Sequence, residues 1–150
     1  MNVRAQGIHD LWMELHGLKK VLMADFRPNL GNLRLNMSQG RTLMALDHDG
    51  PSAMSRLGRT VGLEAGSFTA VADALVEAGL AEKSRDRNDR RRWLLGLTPG
   101  GREAAVLLRS EMERHMDRRL GALDPGERTE LDGALRTLRA VNEKLRRKHA

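Results

Sequence analysis

The stretch KSRDRNDRRRWLLGLTPGG, residues 83–101, contains the features that decide the fold. Two strand-like segments, residues 81–85 and 93–97, flank the polar and basic loop 86–92, and this arrangement predicts a β-hairpin. The Thr-Pro pair at 98–99 has the order of a helix N-cap followed by a first helical residue. The stretch therefore predicts a basic hairpin followed directly by a new helix.

The segment before the hairpin predicts two helices joined by a tight turn. Ser52 is placed to cap a short helix, a turn follows at residues 61–63, and a second helix runs over residues 64–78 until Gly79 stops it. The apolar positions expected to face the core are Met54, Leu57 and Val61 in the short helix and Phe68, Val71, Ala72 and Leu75 in the second. Two such helices followed by a basic hairpin indicate a winged helix-turn-helix, whose second helix enters the major groove of DNA.

Amphipathic helices are also predicted on both sides of this segment. One runs over residues 3–26 and ends at the Arg-Pro pair at 27–28, and Asn36 is placed to cap another that stops at residues 47–51. After the hairpin one helix starts at Pro99, and a capping box at residues 124–127 starts the last one. Their apolar stripes are Ile8, Leu11, Leu15, Leu18, Leu22 and Phe26, then Ala105, Leu108, Met112 and Met116, then Leu131, Leu135, Leu138, Val141 and Leu145.

Composition indicates a folded protein with an anionic partner. The 150 residues are 40% hydrophobic and 31% charged, with a net charge of +6, and residues 83–92 alone hold six basic and two acidic residues. This concentration favours nucleic acid over a basic surface kept for solubility, with an anionic membrane as the second choice. Aromatic residues make up only 3%, which disfavours a stacking platform for single strands.

The sequence also excludes several classes of protein. The absence of cysteine excludes disulfides, thiolate metal sites and cysteine nucleophiles. No apolar run approaches the roughly 20 residues of a membrane span, and the N-terminus lacks the apolar segment of a secretory signal, so we expect a cytoplasmic protein without membrane contact. A phosphate-binding glycine loop, a nucleophile with a base at motif spacing, and paired metal ligands are all missing, so neither an enzyme nor a cofactor is expected.

The chain resembles the MarR (multiple antibiotic resistance regulator) family of bacterial transcription factors. The resemblance lies in LNMSQGRTLMAL (35–46), DGPSAMSRLGRTVGL (49–63), SFTAVADALVEAGLAEK (67–83) and, most specifically, DRNDRRR (86–92) followed by LTPGG (97–101). It implies a mainly helical winged helix-turn-helix homodimer that binds a pseudo-palindromic operator in double-stranded DNA, usually as a repressor that a small ligand releases or an oxidant modulates. We accordingly expect a DNA-binding lobe at residues 35–98 between dimerisation helices in residues 1–34 and 99–150.

The residues expected to contact DNA lie on the second helix of the pair and in the basic hairpin. The hydroxyls of Ser67 and Thr69 can bind phosphates or bases, whereas Ala70 stands where the family commonly has a base-reading arginine. A planar guanidinium remains charged and binds phosphate or guanine through two hydrogen bonds. The arginines expected to use this chemistry are Arg85, Arg87, Arg90 and Arg91.

The resemblance also implies an internal brace for the hairpin. Asp89 and Arg91 correspond to the family's wing aspartate and arginine, and Asp73 corresponds to an acidic position on the recognition helix that often pairs with that arginine. We therefore expect Asp73, Asp89 and Arg91 to hold the wing against the recognition helix.

An effector pocket is a further hypothesis. His9, Trp12 and His16 share one side of the first helix, and with Arg41 they could bind an aromatic or carboxylate effector; ordinary dimer packing is the alternative. Scattered histidines without close ligand pairs disfavour a zinc site. Two other functions stay open, a winged-helix module that binds another protein and a DNA-binding regulator that responds to no ligand.

Overall fold

The computed structural model describes residues 5–148, which form six helices and three short strands. The mainly helical fold with a small antiparallel sheet is confirmed. Residues 27–113 form one compact unit, here called the central unit, and the described parts of residues 1–26 and 114–150 form a second, the terminal unit. The elements are α1 (Ala5–Leu22), α2 (Met37–Asp49), β1 (Ser52–Ala53), α3 (Met54–Val61), α4 (Ala65–Glu77), β2 (Ala81–Arg85), β3 (Trp93–Leu97), α5 (Pro99–Leu120) and α6 (Pro125–Lys148).

The hairpin of the central unit has the predicted ends. β2 and β3 pair antiparallel from Ala81 opposite Leu97 to Arg85 opposite Trp93. Thr98 caps α5 as predicted, because its hydroxyl accepts from the amide of Gly101 at 3.0 Å. The basic loop 86–92 is therefore carried by a short ladder and a capped helix.

A third strand corrects the prediction for Ser52. This residue does not cap α3 but pairs with Leu95 in β1, so β3 is the central strand of the sheet. The hydroxyl of Ser52 donates to the carbonyl of Gly50 at 3.0 Å, and Ala53, which offers no side-chain hydrogen bond, is the residue that precedes α3. The sequence predicted the two strands of the hairpin but not this short third strand.

Local sequence signals position α2 and the end of α4. Asn36 and Gln39 form a reciprocal capping box, in which each side chain accepts from the other's backbone amide, at 2.9 and 2.8 Å. Gly79 has φ +71°, and the amides after α4 return to the carbonyls of Val76 and Leu75 at 2.9 Å. This left-handed glycine ends the helix and turns the chain into β2.

The turn between α3 and α4 depends on close packing of the two helices. Gly62 adopts a left-handed conformation with φ +80°. Gly58 is buried, and a Cβ at this position would lie 3.3 Å from the carbonyl oxygen of Leu63 and 3.4 Å from the Cβ of Phe68. The short α3 is thereby held closely against the start of α4.

The core of the central unit joins all these elements. Phe68, Ala72 and Leu75 of α4 are at most 1% exposed, as their spacing predicts. They pack in one cluster with residues of α2, α3, β3 and α5, which include Leu43, Leu46, Leu57, Val61, Leu95, Ala104 and Ala105. This cluster fixes α4 and the hairpin relative to each other.

In the terminal unit, α1 ends earlier than predicted. The helix stops at Leu22 instead of reaching Phe26, because residues 23–26 form turns and Asp25 has φ +58°. His115 supports this turn, since its Nε2 lies 3.0 Å from the carbonyl of Ala24 and its ring packs edge-on against Phe26. The predicted start at Val3 lies outside the described residues.

The apolar stripes of the terminal helices are largely exposed in the single chain. Ile8 is 54% exposed on α1, and none of the residues of α6 is buried. The other large apolar side chains that are exposed in this unit are Leu11, Trp12, Met13, Leu15, Leu18, Val21, Leu135, Val141 and Leu145. In residues 5–148 no helix combines the length and the apolar character that a membrane span requires.

Candidate nucleic-acid interface

The exposed face of α4 offers small polar groups at its N-terminal end. Ser67, Thr69 and Ala70 are all exposed, while Phe68 between them is 1% exposed and anchors the helix in the core. The hydroxyl of Thr69 donates to the carbonyl of Ala65 at 2.9 Å, so its oxygen retains acceptor capacity. α4 contains neither lysine nor arginine. Any positive charge at this surface must therefore come from neighbouring elements.

The wing loop, residues 86–92, uses its two carboxylates to shape its own backbone. Asp86 accepts from the amide of Asn88 at 2.9 Å, and Asp89 accepts from the amide of Arg91 at 3.0 Å. Aspartates in such turns fix the local chain path. In the described part of the chain, no hydrogen-bond or ion-pair partner is found for the guanidinium groups of Arg87, Arg90, Arg91 and Arg92, all of which are exposed.

Arg85 differs from the other arginines of the hairpin. Its Cζ lies 3.8 Å from the centroid of the Trp93 ring, and its Nη1 donates to the backbone carbonyl of Arg90 at 2.9 Å. Arg85 was expected to contact DNA, but in the structure its guanidinium contacts Trp93 and Arg90 within the wing. The pairing depends on strand register, which the sequence alone did not specify.

The prediction that Asp73 pairs with Arg91 is wrong, because Asp73 has a different partner. The carboxylate of Asp73 accepts a hydrogen bond from the ammonium of Lys83, which lies on β2. Asp89 does contact Arg91, but through the backbone amide rather than the guanidinium. The recognition helix is thus tied to the base of the wing, and the Arg91 side chain remains available.

A groove of about 530 Å³ lies where α3, α4 and the hairpin meet. Three of its lining residues carry positive charge, Lys83, Arg91 and Arg92, and two carry hydroxyls, Ser55 and Thr69. Ser55, Lys83 and Arg92 were not predicted as site residues from the sequence. The run of basic residues at 83–92 was the available signal for two of them, whereas Ser55 had none. The remaining lining residues are Ala53, Met54 and Trp93.

The residues of the effector hypothesis belong to different units. His9, Trp12 and His16 are exposed on α1 of the terminal unit, and Trp12 is 68% exposed. Arg41 is exposed on α2 of the central unit. Their common role stays a prediction. Within residues 5–148, no three histidine, aspartate or glutamate side chains converge as metal ligands.

A short helix, a tight turn, a second helix and a basic hairpin define a winged helix-turn-helix protein. Residues 35–93 match the model of the MarR family, and the described fold agrees with that match. Over 73 residues the chain is 38% identical to YcgE of Bacillus subtilis, an uncharacterized HTH-type transcriptional regulator. This match covers 48% of the chain and spans about half of that relative, namely 47%.

Solved structures extend the similarity to most of the chain. A mutant of MarR from E. coli is 20% identical with a TM-score of 0.74, and the match covers 85% of this chain and 95% of that one. NadR in complex with 4-hydroxyphenylacetate is 25% identical with a TM-score of 0.65, and the match covers 84% and 89%. The fold is thus shared with known regulators well beyond the lobe that the family model matches.

Proposed function

We propose that this protein is a homodimeric regulator of transcription that binds double-stranded DNA through α4 and the wing. The observation that carries the proposal is the wing loop, in which both carboxylates are engaged by backbone amides and four arginines are left exposed beside α4. Exposed arginines without carboxylate partners are suited to phosphate oxygens. The family relationship and the described fold support the same function.

The chemistry of α4 sets the mode of recognition. Its exposed N-terminal residues are small and uncharged, so long-reaching bidentate contacts to bases are not available from this helix. Ser67 and Thr69 can bind phosphates or single base edges. The wing arginines would then supply most of the affinity and a preference for narrow, A·T-rich minor groove.

Homodimer formation is supported by the exposed apolar stripes of α1 and α6. An α6 without a buried residue lacks the packing that normally stabilises a long helix, and a second copy would provide it. Two recognition helices would then meet successive major grooves about 34 Å apart, on a pseudo-palindromic site.

Release of DNA by an aromatic carboxylate is the finer part of the proposal, together with a repressor role. On α1, Trp12 offers an exposed ring, and His9 and His16 offer polar groups. The complex of NadR with 4-hydroxyphenylacetate supports this class of compound. We expect a phenolic or aromatic carboxylate to raise the melting temperature and weaken DNA binding. If no compound of this class has these effects in a screen, a ligand-independent regulator is favoured.

Selection of bound fragments from a random duplex pool tests the function directly. The fragments recovered should share a pseudo-palindrome whose half-sites are about one helical turn apart. Affinity for the selected duplex, measured by fluorescence anisotropy, should fall steeply with salt. Recovery of no preferred duplex, with no salt-sensitive binding, would refute the proposal and favour a winged-helix module that binds protein.

A further inference from the structure

We propose that Arg85 is a positioning residue: by stacking on Trp93 it fixes the wing loop, and it governs DNA affinity without contacting DNA itself. The inference deepens the proposed function and depends on it. It separates Arg85 from the arginines around it, which the sequence presents as one uniform basic run.

The pair of Arg85 and Trp93 lies at the end of the ladder between β2 and β3. Arg85 and Trp93 face each other as the last paired residues of β2 and β3, directly before the loop. The Arg85 guanidinium lies 3.8 Å from the centroid of the indole, a distance at which cation and ring attract each other. The stack therefore closes the hairpin at the point where the loop begins.

A second contact connects the same guanidinium to the far side of the loop. Its Nη1 donates to the carbonyl of Arg90 at 2.9 Å, while the amide of Asp86 donates to the carbonyl of Arg92 at 3.0 Å. One side chain thus joins the end of the ladder to the segment that carries the exposed arginines. A lysine could provide the charge but neither the planar stack nor the fork of donors.

Charge repulsion explains why the loop needs such a contact. Four arginines lie within the seven residues 86–92, and like charges at short range favour an expanded loop. The backbone bonds of Asp86 and Asp89 organise the turns. The Arg85 stack is the side-chain contact that joins them to the sheet. Without it, Arg87 and Arg90 would have to be ordered when DNA binds, which lowers affinity.

The experiment compares lysine replacements at two positions. The parent is Trp12→Phe, which leaves Trp93 as the one remaining tryptophan. Arg85→Lys should weaken binding to the selected duplex about tenfold, nearly as much as Arg85→Ala. The matched control Arg87→Lys keeps a phosphate contact and should lose much less. If Arg85→Lys binds like the parent, Arg85 acts as a simple cation on phosphate and the inference is overturned.

Two further measurements separate positioning from contact and from misfolding. In the free protein, iodide should quench Trp93 more strongly in Arg85→Lys and Arg85→Ala than in the parent, while circular dichroism stays unchanged. Unchanged quenching would overturn the stack. The double variant Arg85→Ala/Trp93→Leu should bind no more weakly than the weaker single variant, because both remove one interaction; additive losses would overturn the coupling.

The outcome also distinguishes this inference from the proposed function. A wild-type protein that binds no duplex refutes DNA binding and with it the role of Arg85 in affinity, whereas the quenching comparison still decides whether the stack exists. A parent that binds, together with an Arg85→Lys variant that binds equally well, refutes only the inference.

Discussion

Two adjacent glycines at the start of α5 should respond in opposite directions to the same substitution. A Cβ on Gly101 would lie 1.8 Å from the carbonyl oxygen of Leu80 and 2.8 Å from its carbonyl carbon. Both are backbone atoms, and this carbonyl also accepts from the amide of Thr98 at 3.2 Å, so no side-chain rotation can relieve the overlap. Gly101→Ala must therefore push the start of β2 away from α5.

The cost of that displacement is of the size found for overpacked cores. We expect Gly101→Ala to lower the free energy of unfolding by about 3 kcal/mol, the upper end of the usual range, because backbone rather than side chain must move. For a chain of this length each kcal/mol lowers the melting temperature by roughly 2–4 °C. Some of the cost is offset by the higher helix propensity of alanine.

Gly100→Ala is the matched control. A Cβ there would meet nothing nearer than the carbonyl oxygen of Gly79, at 3.7 Å, which is ordinary contact. Alanine reduces the conformational entropy of the unfolded chain and causes no clash in the folded state. The free energy of unfolding of this variant should therefore be higher by about 0.4–1 kcal/mol. Urea unfolding followed by circular dichroism measures both. Equal stability of the two variants would refute the close packing of α5 against Leu80.

Two other substitutions test the terminal helices and the capping of α5. Leu135→Glu should dissociate the proposed dimer in sedimentation, because it places an unpaired charge in an apolar interface. The control Thr137→Glu adds the same charge to another face of α6 and should leave the dimer intact. Equal sedimentation of the two variants would contradict the interface. Thr98→Val should lower the free energy of unfolding by about 1–3 kcal/mol. The reason is that the Thr98 hydroxyl donates to the carbonyl of Gly79 at 2.6 Å and accepts from the amide of Gly101. Unchanged urea unfolding would show that the cap contributes nothing to stability.

Local signals predicted the ends of most elements well. Three helix starts are capped by a side-chain oxygen that accepts from the amide three residues later, namely those at Asn36, Thr98 and Asp124. Neighbouring residues alone determine these helix starts. The hairpin ends agree residue for residue with the alternation and the basic loop. The end of α1 was misjudged because Pro28 is a conspicuous stop, whereas the turn at Asp25 is stabilised by residues of α5 that are distant in sequence.

The choice of partners within the site could not be predicted from the sequence. Several basic residues stand within reach of Asp73 in the chain, and only the register of β2 against α4 brings Lys83 to it. The pairing of β2 with β3 likewise places Trp93 opposite Arg85. The short β1 was missed because two residues carry no periodicity. Residue types therefore identified the basic hairpin, whereas the structure was needed to separate Arg85, which contacts Trp93, from the exposed arginines of the loop.

The dependence of DNA affinity on salt for Arg87→Ala tests the central claim most directly. Arg87 lies in the wing loop, exposed, and its side chain has no described partner in residues 5–148, so its removal should leave the fold unchanged. Each lost phosphate contact makes the slope of log affinity against log salt concentration shallower by about 0.9, and therefore by roughly two for a dimer. The affinity of Arg87→Ala should then fall about tenfold less than that of the wild type between 50 and 200 mM salt. Arg139→Ala on α6 is the charge-matched control and should leave the slope as in the wild type. An unchanged slope for Arg87→Ala would contradict the claim that the wing binds DNA.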